Sequence, residues 1–131
     1  MKWFSRKKKE TEKEIPVIRR EFESRTDVTH AEIISKGFRY STKDSEQIIS
    51  WEDSYSDGFA LFRTKNGRWF RCNRDIDNRT WFNLDSGKYI CQTDVRYSNI
   101  IHVNEGYAKM TIGEHDVQKY MELWGDEVEE A

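Results

Sequence analysis

The stretch GFALFRTKNGRWFRCNR, residues 58–74, decides the fold of this chain. Two runs rich in aromatic residues flank Asn66-Gly67, a dipeptide that turns tightly because glycine takes positive φ freely and asparagine tolerates it. With Asn66 and Gly67 as the centre of a type I′ turn, Lys65 pairs with Arg68, Arg63 with Phe70, Leu61 with Cys72 and Phe59 with Arg74. On that register Phe59, Leu61, Phe70 and Cys72 share one face, and Ala60, Phe62, Thr64, Trp69, Arg71 and Asn73 the other. A sheet covered on one side shows a polar outer face, yet here both faces carry large rings. One face is therefore expected on the core, and the other under a helix or against a partner.

Around this hairpin the chain reads as short β segments split by turn residues. Glu32, Ile34, Lys36, Phe38 and Tyr40 fit one strand face with a bulge at Gly37. Gln47 to Trp51 follows, and a polar break runs from Glu52 to Asp57. Thr80–Leu84 and Lys88–Thr93 flank Asp85-Ser86-Gly87, and Ser98–Val103 and Tyr107–Ile112 flank Asn104-Glu105-Gly106. Two helices are expected. One spans residues 10–26, with Pro16 at its first turn and Ile15, Ile18 and Phe22 on one face. The other opens on a capping box, Thr111 to Glu114, carries Val117, Tyr120, Met121 and Trp124 as its apolar stripe, and stops at Gly125. The predicted class is α+β, mainly antiparallel β: a curled sheet or small barrel of about six or seven strands under a C-terminal helix. Residues 1–30 are expected as a basic arm with room for a short helix, 31–125 as a single compact β-rich domain ending in a helix, and 126–131 as an acidic tail.

Composition supports one small domain. The chain has 131 residues and 15.8 kDa, 35% of them charged, with a mean hydropathy of −0.95. Leu, Ile, Val and Phe number 27, near the level at which a chain fails to fold, and 18 aromatic residues supply the missing core area. Eleven Ile against three Leu and four Ala favour strands over helices. No apolar run is long enough to span a bilayer, and no hydrophobic segment follows the basic start as in a signal peptide. Cys72 and Cys91 are too few for a disulfide scaffold, so a reducing, cytoplasmic location is expected. The Lys- and Ile-rich, Pro-poor composition resembles that of small accessory proteins of Gram-positive bacteria and their mobile elements, although no motif carries the likeness.

Charge is segregated. Lys2, Arg6, Lys7, Lys8 and Lys9 give the first nine residues +5, residues 113–131 carry −6, and residues 31–112 are nearly neutral. A basic arm of this kind suits nucleic acid, whereas one aromatic pair, Trp3-Phe4, without a lipid chain binds a membrane surface only marginally, and no membrane role is expected.

No catalytic spacing is present. His30, His102 and His115 stand far apart, and neither C-x-x-C nor H-x-x-x-H occurs, so no metal and no cofactor is expected. Asp75-Ile76-Asp77-Asn78 opens like a calcium loop, but Arg79 takes the third ligand position and no closing Glu follows in register. The glycines are too scattered for a phosphate loop or another small-molecule site. What remains is a surface. Phe62, Trp69 and Arg71, with Arg63 and Arg68 beside them, combine the residue types that dominate protein hot spots. The expectation is a non-enzymatic accessory protein, inhibitor- or adaptor-like, that docks on a protein partner through this aromatic and arginine face. Single-stranded nucleic acid is the alternative, bases stacking on Phe62 and Trp69 while residues 2–9 meet phosphate; pI is about 6.0, against the basic footprint of such domains. A third reading is an enzyme using His102 or His115 with nearby acids.

Overall fold

A computed structural model describes residues 20–53 and 57–131. Seven strands run in order among them: β1 (Phe22–Thr29), β2 (Glu32–Ser35), β3 (Phe38–Ser41), β4 (Glu46–Glu52), β5 (Gly58–Arg63), β6 (Trp69–Asn83) and β7 (Lys88–Val103). Helices α1 (Glu105–His115) and α2 (Val117–Trp124) follow, with a 3₁₀ turn at Gly125–Glu127. Five strands form one sheet in the order β1-β7-β6-β5-β4, and β2 and β3 pair separately. All pairings are antiparallel except that of β1 with β7. The class is α+β and mainly antiparallel, and the sheet is open between its edges at β1 and β4 rather than closed as a barrel.

The hairpin at residues 58–74 forms, one residue out of the predicted register. Gly67 alone in the turn has positive φ, +83°. The Thr64 N–H donates to the Arg68 carbonyl at 2.8 Å, and the Gly67 N–H to the Thr64 carbonyl at 2.9 Å. This is a three-residue loop, a type I turn closed by a left-handed glycine, and it pairs Arg63 with Trp69, Phe62 with Phe70, Leu61 with Arg71 and Ala60 with Cys72. A slip of one residue turns every side chain of β6 to the opposite face. Ala60, Phe62, Phe70, Cys72 and Ile100 therefore pack with Tyr40 beneath the β2–β3 hairpin. Ile49, Leu61 and Trp69 pack with Ala108 and Ile112 beneath the helices. Both faces are covered at this end of the sheet, giving three layers.

Other expectations change for local reasons. Phe22–Thr29 is a strand, so the helix expected over 10–26 does not extend through its last turn; residues 1–19 lie outside the described residues. Residues 32–40 are a hairpin rather than one strand, because Lys36 and Gly37 take φ of +53° and +81° and close a two-residue turn. Asn104 starts a helix instead of turning between strands: its side chain accepts the Tyr107 N–H at 2.8 Å, and Ala108, Thr111 and Ile112 bury one helical face. The expected strand at Tyr107–Ile112 is thus part of α1. Its successor starts at Asp116, whose carboxylate caps the Lys119 N–H at 3.0 Å, not at the Thr111 capping box. Tyr120, Leu123 and Trp124 of α2 face the core, while Val117 and Met121 stay exposed.

β6 and β7 run on as one long hairpin, where the sequence reading expected several short strands. β5 pairs with β6 only as far as Asn73, and next to it Gly58 lets the Arg74 carbonyl oxygen approach so closely that a Cβ would overlap it. One extra residue in β7, marked by Asn99 at φ +54°, forms a bulge near this point. Beyond it, β6 and β7 continue with β1 alongside residues Tyr89–Arg96. The result is a three-stranded ribbon projecting from the three-layer body.

Candidate functional site

The expected aromatic platform does not assemble. Phe62 is 2% exposed and Trp69 3% exposed, and they lie on opposite faces of the sheet. Trp69 stacks toward Trp124 with centroids 6.0 Å apart, so α2 fills the place a partner was expected to take. Arg71 donates to the Tyr107 hydroxyl at 2.8 Å and lies 5.0 Å from the Phe59 ring, tying β6 to α1. Arg63 is exposed, 5.3 Å over Trp69, and Arg68 stacks 3.4 Å over the ring of Phe38. These two arginines remain at the surface as lids on rings. Lys2, Arg6, Lys7, Lys8 and Lys9 lie outside the described residues.

Large apolar side chains are instead exposed on the ribbon. Alternation puts Phe22, Tyr89 and Phe82 on one face at its tip, one ring from each strand. Phe22 and Tyr89 stack at 5.5 Å, and Phe82 meets Tyr89 edge-on at 5.1 Å. Phe22 is nevertheless 58% exposed, Phe82 47%, and Leu84 in the adjoining turn 86%. Toward the body the same face holds Ser24, Thr26, Thr80 and Thr93, then Val28, Ile76 and Val95. It is continuous with the face that β2 and β3 cover in the body; Val95 at its body end is buried, while Val28, Ile76, Phe82 and Phe22 stay exposed.

The reverse face is mixed: Ile90, between Glu23 and Trp81, is fully buried, and the polar groups around it are paired. Arg79 meets Asp94 at 3.0 Å and lies 5.7 Å over Trp81. Gln92 is 5% exposed and donates to Asp27 at 2.8 Å and to Asp94 at 3.0 Å, which fastens β1 to β7. The turn is set by Asn83, whose side chain accepts the Asp85 and Ser86 N–H groups at 2.9 and 3.2 Å, and by Gly87 at φ +70°.

The signal for this surface was in the sequence. Ile76, Asn78, Thr80 and Phe82 continue the alternation of Phe70 and Cys72, and Tyr89, Cys91, Thr93 and Val95 answer it across the turn. The likeness of Asp75 to Asn78 to the opening of a calcium loop masks that continuity.

Reactive groups do not converge. Burial pushes the Cys72 thiol up to about 12, with Arg71 and Arg74 opposing the shift, so it stays protonated and is a poor nucleophile. Cys91 and His102 sit eleven residues apart on β7, roughly 36 Å in extended chain. The His102 ring lies 5.7 Å from Tyr40, and His115 stacks on Trp51 at 5.0 Å. Among the described residues no three or more His, Cys, Asp and Glu side chains gather as metal ligands. A polar hollow of about 550 Å³ lies open between Lys43–Glu46 and the loop after Arg63. No described helix is long and apolar enough to cross a membrane. No family model matches the chain, and no curated protein or solved structure matches it.

Proposed function

We propose that this chain is a non-enzymatic accessory protein that docks on another protein through the aromatic face of its ribbon. The observation that carries the reading is the ring trio Phe22, Tyr89 and Phe82, one ring per strand, with Phe22 and Phe82 exposed beside Leu84. The exposed apolar residues form two clusters on this face, the rings with Leu84 at the tip and Val28 with Ile76 toward the body, parted by Ser24, Thr26, Thr80 and Thr93; rimmed apolar clusters of this kind often mark binding sites. At the tip the rings are already held against each other, so docking orders few rotamers.

Nucleic acid fits this surface less well. The ribbon's charges are interleaved in sign, as with Arg79 and Asp94, and among the described residues the rings beside Arg63 and Arg68, Trp69 and Phe38, already lie under those guanidinium groups. Stacking and phosphate contacts would have to come from separate parts of the molecule.

The test immobilises the full chain and its Phe82→Ala/Leu84→Ala variant side by side, then measures affinity for the purified protein that the parent retains. The expected result is a loss of ~30-fold or more in the variant, as for hot-spot truncation, with Arg63→Ala and Arg68→Ala changing little. Equal affinity of parent and variant would contradict the proposal. So would binding of labelled single-stranded DNA or RNA that falls with salt and is untouched by the double change.

A further inference from the structure

The unpaired edge of β1 carries a second inference, independent of the aromatic face. All eight residues of β1 are exposed, and among the described residues only β7 pairs with it. The ladder is parallel, and the Tyr89 N–H donates to the Glu21 carbonyl at 3.0 Å. Alternation then turns the backbone groups of Glu21, Glu23, Arg25 and Asp27 toward β7. The N–H and C=O groups of Phe22, Ser24, Thr26 and Val28 point outward, a row of unmet donors and acceptors that templates another strand.

We infer that a second copy of this chain fills that edge, β1 against β1, antiparallel about a two-fold axis at Thr26, joining two five-stranded sheets into one. The charges select both the occupant and the register. Charged side chains usually guard an edge against pairing, but here Glu23, Arg25 and Asp27 alternate in sign on one face, with Arg25 already 3.3 Å from Glu23 of its own strand, so a second copy can match them. Antiparallel pairing must bring outward-facing residues opposite one another, which leaves few registers. A centre on Arg25 sets Arg25 against itself and Glu23 against Asp27, which repels. A centre on Ser24 pairs Glu23 with Arg25 and sets Glu21 against Asp27. A centre on Thr26 sets each Arg25 opposite Asp27 of the second copy, Thr26 opposite Thr26, Ser24 opposite Val28 and Glu23 opposite Thr29, with no like pair facing. Asp27 reaches this pairing already held in place by Gln92 through its other oxygen. The opposite edge of the sheet is not equivalent, because β4 is broken by a bulge between Gln47 and Ile49 that twists it away from regular pairing.

The experiment is sedimentation equilibrium of the full chain from low to high micromolar concentration. The mass is expected to rise from 15.8 kDa toward twice that value. Thr26→Pro removes an outward N–H without touching the β1–β7 ladder, and is expected to stay monomeric with an unchanged circular dichroism spectrum. Arg25→Asp puts two acidic pairs across the seam and is expected to weaken association ~10-fold or more, while Arg25→Asp/Asp27→Arg recovers it to within about threefold. A monomer at every concentration overturns the proposal. A dimer that survives Thr26→Pro also overturns it, as does a charge exchange that fails to restore what Arg25→Asp removes. Should Thr26→Pro unfold the chain, the charge exchange decides alone. Phe82→Ala/Leu84→Ala is expected to leave the dimer intact, so failure of this inference and failure of the docking proposal are separable.

Discussion

β6 and β7 pass through two regions that share a backbone pattern and differ in almost everything else. In the body, residues 69–73 of β6 lie between β5 and β7, with Tyr40 over one face and α1 and α2 over the other, and Phe70 and Cys72 are fully buried. In the ribbon, residues 75–82 of the same strand are exposed along their whole length. Pairing with β7 continues into the ribbon past one bulge, whereas pairing with β5 and the cover over both faces of β6 end. A strand's ladder alone leaves its apolar residues half in water, so the body's stability comes from the added layers. On the ribbon Ile90 and Val95 of the central strand are buried, while Phe22, Ile76, Phe82 and Leu84 stay exposed, which is what a docking surface requires.

The contrast fails first if the body is not the stable part. Trp69→Ala removes a buried indole wedged against Trp124 and is expected to cost about 3–5 kcal/mol in denaturant unfolding, enough to unfold many small domains. A loss under about 1 kcal/mol would mean that α2 is only loosely applied. Trp124→Ala, half-buried on the other side of that contact, should cost less, about 2 kcal/mol. The ribbon sets the opposite expectation: Phe82→Ala should cost ~1 kcal/mol or less, the scale of one aromatic pair, because its ring is already largely in water.

The smallest effect is chemical. Cys72 should resist thiol reagents in the native protein at pH 8, while Cys91, half-exposed on the ribbon, reacts; equal labelling would show the body opening readily. The sign of the linkage follows from the raised value. With the folded thiol moved from 9.0 to about 12, its contribution to stability is fully present below 9.0 and is lost as pH rises through that interval.

Much of this was legible, and the failures share a cause. Two rows of rings on one hairpin implied that both faces needed cover, and both are covered in the body. Which ring faced which layer was not legible, because it depended on whether Asn66 or only Gly67 took positive φ, a choice the dipeptide leaves open. Placing Phe62 beside Trp69 followed from that slip. Asn104 likewise suits a turn or a helix cap, and only the burial of Ala108 and Ile112 against Leu61 and Trp69 decides it. The parallel docking of β1 on β7 joins residues more than 60 positions apart, and its Gln92–Asp27 bond has no local signature. The ribbon was missed because alternation through Ile76 and Phe82 is diluted by Asp75, Asp77 and Arg79 on the other face.

Residue-resolved amide hydrogen exchange along β6 tests the central claim most directly, since one strand samples both regions. Amides from Trp69 to Asn73 are expected to exchange ~100-fold or more slowly than those from Ile76 to Asn83. Uniform protection from Trp69 to Asn83 would contradict the account, because it would mean that the ribbon is as firmly held as the body and offers no free face.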